Sequence, residues 1–173
     1  PFFFSKPADA VVDSGISLPY PPQTENLHYE GELVIAIGVE GTCISEAEAL
    51  GHIWGYAVGN DLTRRDLQAE AKEMGRPWDM AKGFDRSAVI GPIHAVKAVG
   101  HLSQGKIRTV VDGETKQEAD LADMIWSVPE VVSILSHNIT LRPGDLIMTG
   151  TPAGVGPLVA GQTCCVSIDG LGE

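Results

Sequence analysis

Glu30 and Glu32 stand two residues apart in HYEGELVIAIG (28–38), directly ahead of an apolar run, and Asp61 closes a second such run, HIWGYAVGND (52–61). In an extended chain, residues two apart point to the same face and lie about 6–7 Å apart. Carboxylates that close repel, and one takes up a proton unless a cation lies between them. Carboxylate oxygens are the donors that hard cations such as Mg²⁺ and Mn²⁺ prefer, and three of them leave positions on an octahedral ion for a bidentate substrate. The same spacing admits a plainer reading: a half-exposed strand with Glu30, Glu32, Val34 and Ala36 towards water and Leu33, Ile35 and Ile37 towards the core.

Basic and polar candidates follow. Arg65, Gln68 and Lys72 share one face of a helix that begins just after Asp61. An arginine beside a cation can grip a substrate carboxylate through two parallel hydrogen bonds, whereas elsewhere the same residues form a solvated face. Lys82 is expected in a loop beside Gly83, as an oxyanion contact or a surface charge. In TGTPAGVG (149–156) the glycines let main-chain N–H groups approach an anion and Thr151 adds a hydroxyl, although simple tight turns use the same residues. It is not a phosphate-binding P-loop, because the GxxxxGK signature is absent and no helix follows. His28 shares the carboxylate face, as a partner to the site or as a structural imidazole, while His52, His94, His101 and His137 are scattered. No G-x-S-x-G elbow occurs, and no cysteine has an evident base beside it.

Short strands must position these groups. PFFFSKP (1–7) reads as a strand ended by Pro7, and PYPPQT (19–24) as an extended connection. Ser45 with Glu48 has capping-box spacing, and Thr63 with Asp66 marks the start of a helix that Gly75 stops. IRTVVDGETKQ is a hairpin turned by Asp112-Gly113, ADLADMIW and a Ser127/Glu130 start give two short helices, and LIMTG and TCCVSI are the last strands. Many short strands with few helices predict a β-dominated α+β domain, not alternating βαβ units.

The 173 residues suit one domain over 1–173, and 43% apolar with 20% charged residues argues for a folded globule. A net charge of −11 without a basic patch argues against nucleic-acid and membrane-surface partners. No apolar run approaches the roughly 20 residues needed to span a bilayer. Cys43, Cys164 and Cys165 lack metal-ligand spacing and read as reduced, mostly buried thiols in a cytoplasmic protein. Both ends are abrupt, as in the core of a longer chain that also has a further C-terminal strand.

Taken in order, HYEGELVIAIG, GYAVGNDLTRRDLQ, AKGFD and LRPGDLIMTGTPAGVG closely resemble the fumarylacetoacetate hydrolase family across nearly the whole chain. The resemblance implies a mixed β-roll, a homodimer, and metal ligation by Glu30, Glu32 and Asp61 with Mg²⁺ or Mn²⁺. It assigns substrate contacts to Arg65, Gln68 and Thr151 and a catalytic role to Lys82; His28, from its place on the carboxylate face, is expected as a second catalytic residue. GRPWDMAKGFDRSA and NLHYEGEL resemble the fumarylpyruvate and acylpyruvate hydrolases of aromatic-compound catabolism, a branch that includes oxaloacetate decarboxylases. The implied reaction is C–C hydrolysis of a 3-acylpyruvate, a 2,4-dioxo acid, to pyruvate and a carboxylic acid. Decarboxylation of oxaloacetate is the alternative, and a non-catalytic metal-binding or dimerisation module is the alternative of another kind. The family's His–Glu base pair sits on a lid segment ahead of the PxxFxKP stretch, so the general base is expected upstream of Pro1.

Overall fold

Strand pairing through the two apolar runs builds the sheet that carries the acidic residues. The computed structural model describes residues 1–173. In chain order the elements are β1 (Val11–Asp13), β2 (Leu27–Tyr29), β3 (Gly31–Ile37), α1 (Glu46–Ala49), β4 (Ile53–Asp61), β5 (Thr63–Arg64), α2 (Arg65–Glu73) and α3 (Asp79–Lys82). They continue with β6 (Ala88–Ile90), β7 (His94–Ala95), α4 (Val96–Val99), β8 (Lys106–Val111), β9 (Glu114–Asp120), α5 (Val128–Ser136), β10 (Leu146–Met148), β11 (Gly156–Leu158) and β12 (Cys164–Ile168).

The main sheet runs β1-β6-β4-β3-β10, with β7 added to β4; β11-β2-β5 and β12-β8-β9 form two smaller sheets. The β1–β6 pairing is parallel and the others antiparallel, so the fold is a mixed, β-dominated α+β architecture, as the short strands predict. Antiparallel register sets Gly31 opposite Asn60 and Glu32 opposite Gly59.

β3 is buried at all seven positions, which removes the solvent-facing alternative for its second face. Leu33, Ile35 and Ile37 enter the main core with Tyr56, Val132 and Ile147, whereas Val34 packs on the other side with Ala57, Ala88 and Ile90. An antiparallel strand covered on both faces loses the polar alternation that a half-wet strand shows.

Several local expectations change. Residues 1–7 form no strand, and a 3-10 turn over Ala8–Ala10 follows. Phe2 and Phe4 both meet Trp78, keeping the two-residue period of an extended chain, but no neighbouring strand takes up its hydrogen bonds. Ser45 does precede α1, yet its hydroxyl donates to the Glu48 carboxylate (2.6 Å) instead of accepting from the helix backbone. Thr63 lies in β5, and Arg64 is the residue ahead of α2. Of ADLADMIW only Leu121–Asp123 forms a 3-10 turn. Ser127 and Glu130 do form a reciprocal capping box on α5. The hairpin turns on Asp112 and Gly113, both at positive φ (50° and 84°), as a two-residue type I′ connection requires. Cys43 is exposed, and burial pushes the Cys164 and Cys165 thiols up to about 12 and about 11, so neither is a ready nucleophile at neutral pH.

Candidate metal centre

The junction of β2, β3 and β4 draws the three carboxylates together. The Glu30 N–H donates to Asn60 Oδ1 (3.0 Å) and the Glu30 carbonyl accepts from the Asp61 N–H (2.9 Å). Glu32 follows two residues later on the same face. One oxygen from each of Glu30, Glu32 and Asp61 lies within 4.8 Å of the others, and all three residues are buried.

Gly31 between the glutamates has its own reason. A Cβ there would clash with Thr109 Oγ1 and meet Val166 Cγ1 at 2.9 Å. Its N–H donates to Gln117 Oε1 (3.1 Å), and its carbonyl accepts from the Thr151 hydroxyl (2.9 Å). Gly31→Ala is therefore expected to destabilise the fold by about 1–3 kcal/mol in urea unfolding. A midpoint equal to that of the parent would contradict this packing.

Basic residues surround two of the acids. Lys82 donates to Glu30 Oε2 (2.8 Å) and Asp61 Oδ2 (2.6 Å). It is 1% exposed and ends the short helix α3, not the loop expected from its sequence. Arg65 donates to Glu30 Oε1 and Gln68 Oε1, both at 2.6 Å, and to His28 Nδ1 at 3.3 Å. The other His28 nitrogen meets Asn26 Oδ1 (2.9 Å), so the ring's place is to fix the guanidinium. Burial, and then Arg65, lower the His28 pKa and keep the imidazole neutral. Thr151 is tied to the scaffold, donating to Gly31 and accepting from Gln117 Nε2 (2.8 Å). Lys72 stacks over the Trp78 ring, 4.7 Å from its centroid.

Lys6 is a buried ammonium that sequence reasoning did not single out. It donates to the carbonyls of Leu62 (3.2 Å), Ser87 (3.0 Å) and Lys82, and its Nζ lies 2.7 Å from Asp61 Oδ1. That close ion pair covers Asp61 Oδ1, while Lys82 holds Oδ2. A lysine embedded in an aromatic, proline-bounded stretch was the available signal. Asn60 and Gln117 were also missed, since their role is visible only once the strands pair.

The charges divide unevenly. Burial raises the Glu30 pKa, but Lys82 and Arg65 outweigh it and hold the carboxyl below its usual range. Asp61 is raised by burial despite Lys6 and Lys82. Glu32, however, has no basic partner and accepts only the Gly150 N–H (2.6 Å); burial, and then the Asp61 charge, push it up to about 8. Three clustered buried carboxylates, one of them without a cationic partner, suit a hard divalent ion. A cleft of about 1300 Å³, lined among others by Met80, Phe84 and Val89, contains none of these acids.

The family model described as fumarylacetoacetate (FAA) hydrolase C-terminal matches residues 1–173. The chain belongs to the fumarylacetoacetate hydrolase family. It is 45% identical over 172 residues to a fumarylpyruvate hydrolase of a Ralstonia species, spanning 99% of this chain and 89% of that relative. It is 40% identical over 173 residues to the Arabidopsis thaliana protein named oxaloacetate tautomerase FAHD1, mitochondrial, spanning all of this chain and 78% of that one. Among solved members, the fumarylpyruvate hydrolase from Pseudomonas aeruginosa, in complex with Mn²⁺ and pyruvate, superposes with a TM-score of 0.98 at 55% identity. The match covers all of this chain and 76% of that one.

Proposed function

We propose that this family member is a divalent-metal-dependent hydrolase that cleaves the C–C bond of a 3-acylpyruvate of the fumarylpyruvate type, with Glu30, Glu32 and Asp61 as metal ligands. One observation supports the reading: buried Glu32 completes an acidic triad and is the one member that pairs with none of Lys6, Arg65 and Lys82. A divalent ion there, Mn²⁺ or Mg²⁺, supplies Lewis acidity for negative charge developing on a chelated 2-oxo acid.

The remaining work falls to the chain. Arg65 is already held by Glu30, Gln68 and His28 and presents a fixed guanidinium edge to a substrate carboxylate. Gln68 spends its carbonyl oxygen on Arg65, which leaves its amide protons for substrate oxygen. Lys82 donates to oxygen that gains charge as the bond breaks. The Thr151 hydroxyl is engaged by the scaffold, so its main-chain N–H is the contact assigned to substrate. We assign the proton acceptor for the attacking water to the His–Glu pair that the family resemblance places ahead of PxxFxKP. Water adds across the bond, its hydroxyl going to the acyl carbon and a proton to the pyruvate methyl carbon.

The relatives' names favour an enzyme over a non-catalytic module, and the tautomerases among them favour oxaloacetate chemistry as the second reading. No helix is long and apolar enough to cross a membrane. Within this reading the protein is a cytoplasmic homodimer acting in aromatic-compound catabolism. The test uses Mn²⁺-loaded protein. Fumarylpyruvate is expected to give pyruvate and fumarate in equal amounts, with loss of turnover on chelation and recovery on Mn²⁺ return. Oxaloacetate turned over to pyruvate and CO₂, with fumarylpyruvate untouched, would overturn the hydrolase reading in favour of decarboxylation. Interconversion of its keto and enol forms without CO₂ release would favour a tautomerase.

A further inference from the structure

The site has an outer rung. Gln68 and Lys72 lie one turn apart on α2, and Trp78, the residue ahead of α3, lies one turn from Lys82 at the end of it, the Lys82 N–H donating to the Trp78 carbonyl at 2.9 Å. At the inner rung, Gln68 reaches Glu30 through Arg65, and Lys82 touches Glu30 directly. At the outer rung, Lys72 sits over Trp78. Phe4 bridges the two levels: its centroid is 4.8 Å from Lys82 Nζ and 5.8 Å from that of Trp78. Phe2 extends the wall, 4.8 Å from Trp78.

Lys72 is exposed and makes no ion pair, and the helix acids Glu70 and Glu73, two residues before it and one after, lie off its face. A lysine with no ion-pair partner, laid on an aromatic face, leaves its ammonium protons for another anion. One helical turn advances about 6 Å, comparable with an extended four-carbon acyl chain. The chain carries a net charge of −11, which repels an incoming anion unless a cation marks the entrance.

The geometry points to Lys72 as the receptor for the distal carboxylate of a dianionic substrate, whose acyl chain lies along the Phe4–Trp78 wall. This rests on the proposed binding of the 2-oxo acid end at the Glu30, Glu32 and Asp61 centre. Lys72 is thus a specificity residue: it favours 2-oxo acids that end in a second carboxylate, one helical turn beyond Gln68, over those with an uncharged tail.

Equilibrium binding to Mn²⁺-loaded protein tests this without requiring turnover. The probes are 2-oxoheptanedioate, with the carbon count of fumarylpyruvate, and 2-oxoheptanoate, which lacks the distal charge. Calorimetry is expected to show the parent preferring the dicarboxylate, Lys72→Met reducing that preference about 5-fold, and Lys72→Arg retaining it. Lys72→Glu is expected to invert it, and high salt to erode the parent's preference. A parent without preference, or a Lys72→Met protein with the parent's ratio, overturns the assignment. Absence of fumarylpyruvate cleavage by the parent, with the Lys72 effect on binding intact, instead overturns the hydrolase reading and leaves this assignment standing.

Discussion

Glu32→Gln is expected to weaken Mn²⁺ binding by at least ~10²-fold and to remove turnover with it, while the metal-free fold stays as stable as before or gains. An amide still offers an oxygen to the Gly150 N–H, so the local hydrogen bond survives. What it lacks is the negative charge that a divalent ion requires. The sign of the stability effect follows from the raised pKa. In the folded, metal-free protein Glu32 keeps its proton up to about pH 8, whereas in the unfolded chain it releases it near the ordinary 4.5. Over that window the native state binds more protons, so stability falls as pH rises from about 4.5 to about 8 and then levels. Glu32→Gln removes this fall. Metal binding runs the other way, tightening with pH up to about 8 because the ion displaces the proton. Calorimetry in buffers of different ionisation enthalpy reads the released proton, and chemical unfolding across pH reads the stability. A variant with parental Mn²⁺ affinity would show that Glu32 is not a ligand.

Lys82→Met should produce the second large effect. Its ammonium is buried between Glu30 and Asp61, and removing one partner of such a cluster exposes the others to an uncompensated burial cost. Arg65 and Lys6 still face the two carboxylates, so the expected loss is about 3 kcal/mol, at the low end for a broken buried pair. Turnover is expected to fall by ~10²–10³ through loss of a donor to developing charge. Adding Mn²⁺ should raise the melting temperature of this variant more than that of the parent, because the ion supplies positive charge to the same acids. Equal metal-induced shifts, with turnover retained, would reduce Lys82 to a structural counter-ion.

Spacing at the edges of two apolar runs offers Glu30, Glu32 and Asp61 as a group but equally as solvent-facing acids, and it is the ordered set of motifs that joins them. The hairpin at Asp112-Gly113 and the α5 capping box were visible in the sequence, since both depend on near neighbours. Residues whose partners lie far along the chain were not. Lys6 meets carbonyls at positions 62, 82 and 87, and nothing local predicts that. Both faces of β3 are buried, with Val34 beside Ala57 of β4 and Ala88 and Ile90 of β6 in the same sheet, and nothing local to Glu32 marks that burial. The aromatic run at the start of the chain has the composition of a strand, but composition does not supply a pairing partner.

The double coverage of β3 also bears on how the molecule breathes. Segments that open on short timescales are those with few buried contacts, and this strand, packed at every position, belongs at the opposite extreme. Glu32 therefore rides on a part of the backbone whose amide protons should exchange with solvent only when the whole domain unfolds. On the proposed function, an ion would be captured and released by rotation of side chains against this rigid frame, with no help from local melting.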